Sequence, residues 1–91
     1  MHTIRLRAAW RLSDGHAIRS FNRPTGLDRG QTVWLAWDGA AQAAALNGEP
    51  LDPTAGRHDV TVRLRPGANE LRLRGADAAV LESTRLEIEA I

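Results

Sequence analysis

The sequence predicts an all-β fold, an antiparallel β-sandwich or barrel. Apolar residues recur at every second position in V-W-L-A-W, D-V-T-V-R-L-R and E-L-R-L-R, which is the period of a strand with one buried face. The turn pairs Asp38-Gly39, Asn47-Gly48 and Pro66-Gly67 separate these blocks. Helical periodicity is not sustained over any useful length, so the elements sum to about seven short strands in an antiparallel sandwich or barrel.

Taken in order, Thr3 to Leu12 alternates cleanly and reads as one strand, with Ile4, Leu6, Ala8, Trp10 and Leu12 on one face. Ser13-Asp14-Gly15-His16 is a turn, and Ala17 to Asn22 is a second strand. Arg23-Pro24 ends it, because proline has no N–H to give a sheet ladder. Gln31 to Trp37 is the third strand, with Val33, Leu35 and Trp37 facing inward and Trp34 outward. Ala43 to Leu46 is Ala-rich and could begin a helix, but Asn47-Gly48 follows at once and favours a hairpin strand. Asp52 to Gly56 is a loop. Asp59 to Arg65 is a strand with Val60, Val62 and Leu64 inward, and Pro66 to Asn69 turns it into Glu70 to Arg74. Gly75-Ala76-Asp77 interrupts the chain before a last strand, Thr84 to Ala90, on which Glu87 and Glu89 face out.

Composition narrows the functional classes. The 91 residues suit one domain spanning 1–91. A domain of this size buries only about two-thirds of its unfolded surface, so the three tryptophans carry weight. There is no cysteine, hence no disulfide framework or thiolate metal site. That absence, with no signal-like or membrane-spanning apolar run, leads us to expect a cytoplasmic protein that does not engage membranes. All twelve basic residues are arginine, but eleven carboxylates leave a net charge of only +1. Nucleic acid is therefore not an expected partner.

The segments Leu46-Asn47-Gly48, Asp59-Val60-Thr61 and Pro66-Gly67-Ala68-Asn69-Glu70-Leu71, in that order and preceded by Phe21-Asn22-Arg23-Pro24, resemble the galactose-binding-domain-like jelly roll. The likeness is to the N-terminal sugar-binding domain of family-two glycoside hydrolases of the β-galactosidase type, and it covers roughly residues 17 to 75. It implies a non-catalytic carbohydrate-binding or accessory module. Two departures stand out. The chain is shorter than the usual domain, which implies exposed sheet edges, and the strand before Asn47 is Ala-rich.

Residues that could carry chemistry are few. His2, His16 and His58 are dispersed and fit no metal-ligand spacing, and no nucleophile-elbow pattern occurs. We expect no enzyme activity, cofactor or metal. Trp34, out of phase with the core, is the candidate platform for a sugar ring, with Arg23, Asp38 and Asn47 as candidate polar contacts. Turn geometry accounts equally for Asp38 and Asn47, and burial against a partner subunit accounts equally for Trp34. A homodimer through exposed edges, or a larger partner protein, is thus the alternative to a saccharide. Arg63, Arg65, Arg72 and Arg74 are expected on one face of a hairpin, either as a solvated surface or as an anion site.

Overall fold

The computed structural model describes residues 2–90. Two antiparallel sheets face each other across one core. The chain runs through β1 (His2–Arg5), β2 (Arg11–Ser13), β3 (His16–Asn22), β4 (Thr32–Ala36), β5 (Ala43–Leu46), β6 (Glu49–Leu51), β7 (Arg57–Asp59), β8 (Ala68–Arg74), α1 (Ala78–Ser83) and β9 (Arg85–Glu89). The first sheet has the order β1-β9-β4-β7 and the second β2-β3-β8-β5-β6.

Strand periodicity positions the core. On β4, Val33 and Leu35 are fully buried beside Leu86 and Ile88 of β9, and Trp37 continues the same face. The second sheet answers with Leu71 and Leu73 of β8, flanked by Ala17 and Phe21 of β3 and by Ala44 and Leu46 of β5. Two hairpins set the register of that sheet. Asp14 and Gly15 have φ of 50° and 79°, and Asn47 and Gly48 have 52° and 81°. Positive φ at both central residues is the turn whose twist matches paired strands, and Asn-Gly and Asp-Gly are the pairs that adopt it most readily. The Ala-rich run at 43–46 is thus a strand.

Three expectations are corrected. The alternating run Thr3 to Leu12 is two strands in different sheets. After β1 the chain crosses to the second sheet, passing Leu6, whose N–H donates to the Thr84 carbonyl at 2.9 Å. Ala9, at φ 62°, makes the bend. A period of two persists through such a crossing, so periodicity cannot reveal it. Leu12, expected inside, is 72% exposed at the sheet edge, while Trp10 is half-buried against the core.

The second correction concerns Asp59 to Arg65. Only Arg57–Asp59 is strand, and the next residues form a single helical turn closed by Leu64 N–H to Val60 C=O at 3.1 Å. Val60 and Leu64, four apart, enter the core together, and Val62 between them is 95% exposed. The Asp59 carboxylate begins this turn, accepting from Thr61 N–H at 3.1 Å and Thr61 Oγ at 2.6 Å. Short polar side chains offer the backbone such alternatives to the sheet ladder.

The third correction is α1. It starts where the Asp77 side chain accepts from Val80 N–H at 3.0 Å, an N-cap. Val80, 2% exposed, closes one end of the sandwich. A six-residue helix is too short to leave a periodic signature in sequence.

Leu71→Ala is expected to lower unfolding free energy by about 2–5 kcal/mol, and Val62→Gln by less than about 0.5 kcal/mol. Urea denaturation measures both, and equal losses would contradict the helical turn at Val60–Leu64.

Candidate functional site

The outer face of the first sheet holds the most concentrated group of aromatic and charged side chains. Alternation on β4 puts Thr32, Trp34 and Ala36 on this face. Antiparallel pairing places Glu87 of β9 and Asp59 of β7 on either side of Trp34. The Arg57 guanidinium lies over the indole, its carbon 3.7 Å from the ring centroid. It also reaches Glu89 at 3.9 Å, with both side chains about half exposed. Such a cation–π stack at an exposed site contributes roughly 0.5–1 kcal/mol.

Beside this stack Arg85 is held firmly. Its Nε donates to Glu87 at 3.0 Å, and one terminal nitrogen donates to Asp38 at 3.3 Å and to the Ser83 carbonyl at 2.8 Å. The bond to Glu87 raises the guanidinium pKa above its ordinary value, with a lesser contribution from Asp38. Asp38 in turn is fixed through its N–H, which donates to Ser83 Oγ at 2.8 Å. The face therefore presents one half-buried indole, a half-exposed arginine stacked on it and an anchored arginine with its carboxylates.

Of the four residues expected to serve a ligand, only Trp34 and Asp38 belong to this face, Asp38 through Arg85. Asn47 is structural: its Oδ1 accepts from Glu70 N–H and its Nδ2 donates to Asn69 Oδ1, each at 2.9 Å. Arg23 follows β3, where its N–H donates to the Gly67 carbonyl at 3.0 Å. The four arginines expected on one hairpin are also divided. Arg72 and Arg74 lie on the outer face of the second sheet, opposite Ile18 and His16. Arg63 leaves the helical turn to reach Glu49 at 3.4 Å, and Arg65 sits in the loop that Asn69 binds. The hairpin they were assigned to does not exist, because β7 and β8 belong to different sheets.

Arg57 and Arg85 were not singled out from sequence. The available signal was alternation: Arg57 shares phase with Asp59, and Arg85 with Glu87 and Glu89. Pairing these strands with β4 requires the sheet order, which periodicity does not supply.

Among the described residues no group of three or more His, Asp or Glu is placed to hold a metal ion, and no helix is long and apolar enough to cross a membrane. His58 faces inward from edge strand β7, its ring 5.1 Å from that of Trp37. Burial lowers its pKa, Arg63 acts in the same direction, and the Asp52 carboxylate opposes them. No family model, curated protein or solved structure matches this chain.

The lowered pKa of His58 sets an expectation for stability against pH. Below an ordinary imidazole pKa of about 6.5, the unfolded chain protonates this site before the native one does. The site's stabilisation is complete above that pH and declines as pH falls through the lower native value. The melting temperature of the native protein should fall more between pH 7 and pH 5 than that of His58→Gln. Parallel curves for the two proteins would show that His58 does not titrate as its burial requires.

Proposed function

We propose that this domain is a non-catalytic binding module that offers the Trp34 face of its first sheet to a saccharide. The observation that carries the reading is the position of Trp34. It is a half-buried indole on the solvent side of a central strand, stacked under an exposed arginine and bordered by carboxylates. The C–H faces of a pyranose pack on an aromatic ring, and its hydroxyls need planar, paired donors and acceptors. When Arg57 swings aside, the ring becomes the platform, and Arg57 with Asp59 and Glu87 supplies the polar rim. A stack worth less than about 1 kcal/mol is easily displaced. The resemblance to the galactose-binding-like jelly roll points the same way, as an analogy of fold.

Two alternatives have less support. Homo-oligomerisation through sheet edges meets the edge strands β1, β2, β6 and β7, none longer than four residues, and Pro50 interrupts the donors of β6. Polyanion binding needs a continuous arginine surface, whereas Arg63 and Arg65 are separated from Arg72 and Arg74.

Titration with a panel of mono- and oligosaccharides, followed by tryptophan fluorescence, tests the proposal. At least one sugar should change the emission. Trp34→Ala should weaken binding at least about tenfold, or roughly 1.4 kcal/mol, and Arg57→Ala should bind as well as the native protein or better. Sugar binding that survives Trp34→Ala unchanged, or a panel with no binder at all, removes the reading.

A further inference from the structure

β3 is longer than its neighbour on one side. Seven residues, His16–Asn22, pair with β8, but β2 covers only His16 to Ile18 on the other edge. The hairpin fixes which groups the uncovered edge presents. A two-residue turn makes Ser13 and His16 a hydrogen-bonded pair, so residues of even number on β3 direct N–H and C=O away from β8. Ser20 and Asn22 therefore turn their backbone groups toward the open side. Beside them lies a cleft of about 370 Å³ between the two sheets, walled by Ile4, Leu6 and Leu86 on one side and Arg19 and Phe21 on the other.

Arg19 gives this edge its chemistry. It is in phase with Ala17 and Phe21, so an arginine occupies an inward-facing position. Its guanidinium folds back to donate to the Ser20 carbonyl, and its Nε is buried with no hydrogen-bond partner among the described residues. Among the described residues no carboxylate lines the cleft, whose rim carries Arg5 as a second cation. Neither arginine has an ion-pair partner among the described residues.

We propose that the Arg19–Asn22 edge captures an extended acidic peptide segment by strand addition. The uncovered length, about 13 Å at the rise of a strand, takes four residues. Ser20 and Asn22 form the new ladder. The incoming side chain opposite Arg19 is Asp or Glu, which draws the guanidinium off the Ser20 carbonyl, and the one two positions away is apolar and fills the cleft against Phe21 and Ile4. An inward charge also protects an edge from neutral strands, so the same arginine rejects partners without the carboxylate. A second copy of this chain is disfavoured, since edge-to-edge pairing brings another Arg19 and Arg5 to the same seam.

The test uses a blocked, fluorescently labelled hexapeptide alternating Glu, Thr and Val, and the same peptide with Lys for Glu, read by anisotropy. The acidic peptide should bind, and the basic one should not. Arg19→Gln should weaken binding at least tenfold. Ser20→Pro should abolish it, because the lost N–H faces the open side and its removal leaves the β8 ladder intact. Circular dichroism confirms that each variant is folded. Amide shifts in the native protein should centre on residues 19–22 and leave Trp34 unmoved, separating this result from any saccharide titration. No binding of the acidic peptide, or equal binding of both peptides, would overturn the proposal.

Discussion

The buried carboxamide of Asn69 is the interaction on which the end of the sandwich opposite Val80 depends. Asn69 is 2% exposed. Its Oδ1 accepts from Arg65 N–H at 2.7 Å and from Asn47 Nδ2 at 2.9 Å, and its Nδ2 donates to the carbonyls of Arg65 and Gly67, both at 3.1 Å. One side chain thus serves the loop that brings the chain from the first sheet into β8 and the turn that joins β5 to β6. A buried amide left unmatched costs roughly 1–3 kcal/mol, so these partners are mutually required. With that end fixed, Val60 and Leu64 can leave the strand pattern and still reach the core.

That same crossing marks where sequence periodicity ceases to be informative. D-V-T-V-R-L-R alternates as a strand does, and the alternation predicted a strand with Val62 inside. Two residues spaced by two or by four lie on the same side under a period of two, so Val60 and Leu64 fit either geometry and Val62 decides between them. The discriminating clue was Asp59-Val60-Thr61. The carboxylate captures Thr61, as Asp52 captures Thr54 in the preceding loop at 2.9 and 2.8 Å. An Asp followed two residues later by Thr initiates turns by local hydrogen bonding. Here the local preference overrides the periodicity, and the strand ends at Asp59.

Elsewhere the sequence was legible because local and long-range preferences agree. At Asn47-Gly48 the turn chemistry, the burial of Leu46 and the register against Leu71 all favour a hairpin, and the high helix propensity of alanine does not prevail. At β4 the phase of Trp34 identified an outward aromatic without knowledge of its neighbours. Its surroundings were not legible, because Arg57 lies 23 residues further along the sequence and Arg85 further still. Sheet order brings them together, and sheet order is a property of the whole chain. Asn47 shows the converse limit. A turn residue with a free amide looks the same in sequence whether it awaits a ligand or binds Asn69.

The two sheets leave two chemically unlike surfaces, the Trp34 face and the β3 edge. The arginines on the Trp34 face are paired with carboxylates, so a ligand there must replace Arg57's contacts with the indole and Glu89 by contacts of similar polarity. Such exchange suits a neutral, many-hydroxyl ligand better than a strongly charged one, because a bare charge would disrupt the Arg85–Glu87 pair, in which both side chains are less than a quarter exposed. At the β3 edge the balance is reversed. Arg19 and Arg5 lack carboxylate partners there, and a neutral ligand would have to leave the Arg19 charge beside newly buried apolar surface. Desolvating an unpaired guanidinium is costly, so that edge admits a strand only when the strand brings the counter-charge. As proposed, the two surfaces differ in the ligands they take because Arg57 and Arg85 have carboxylate partners within the fold, whereas Arg5 and Arg19 have none among the described residues.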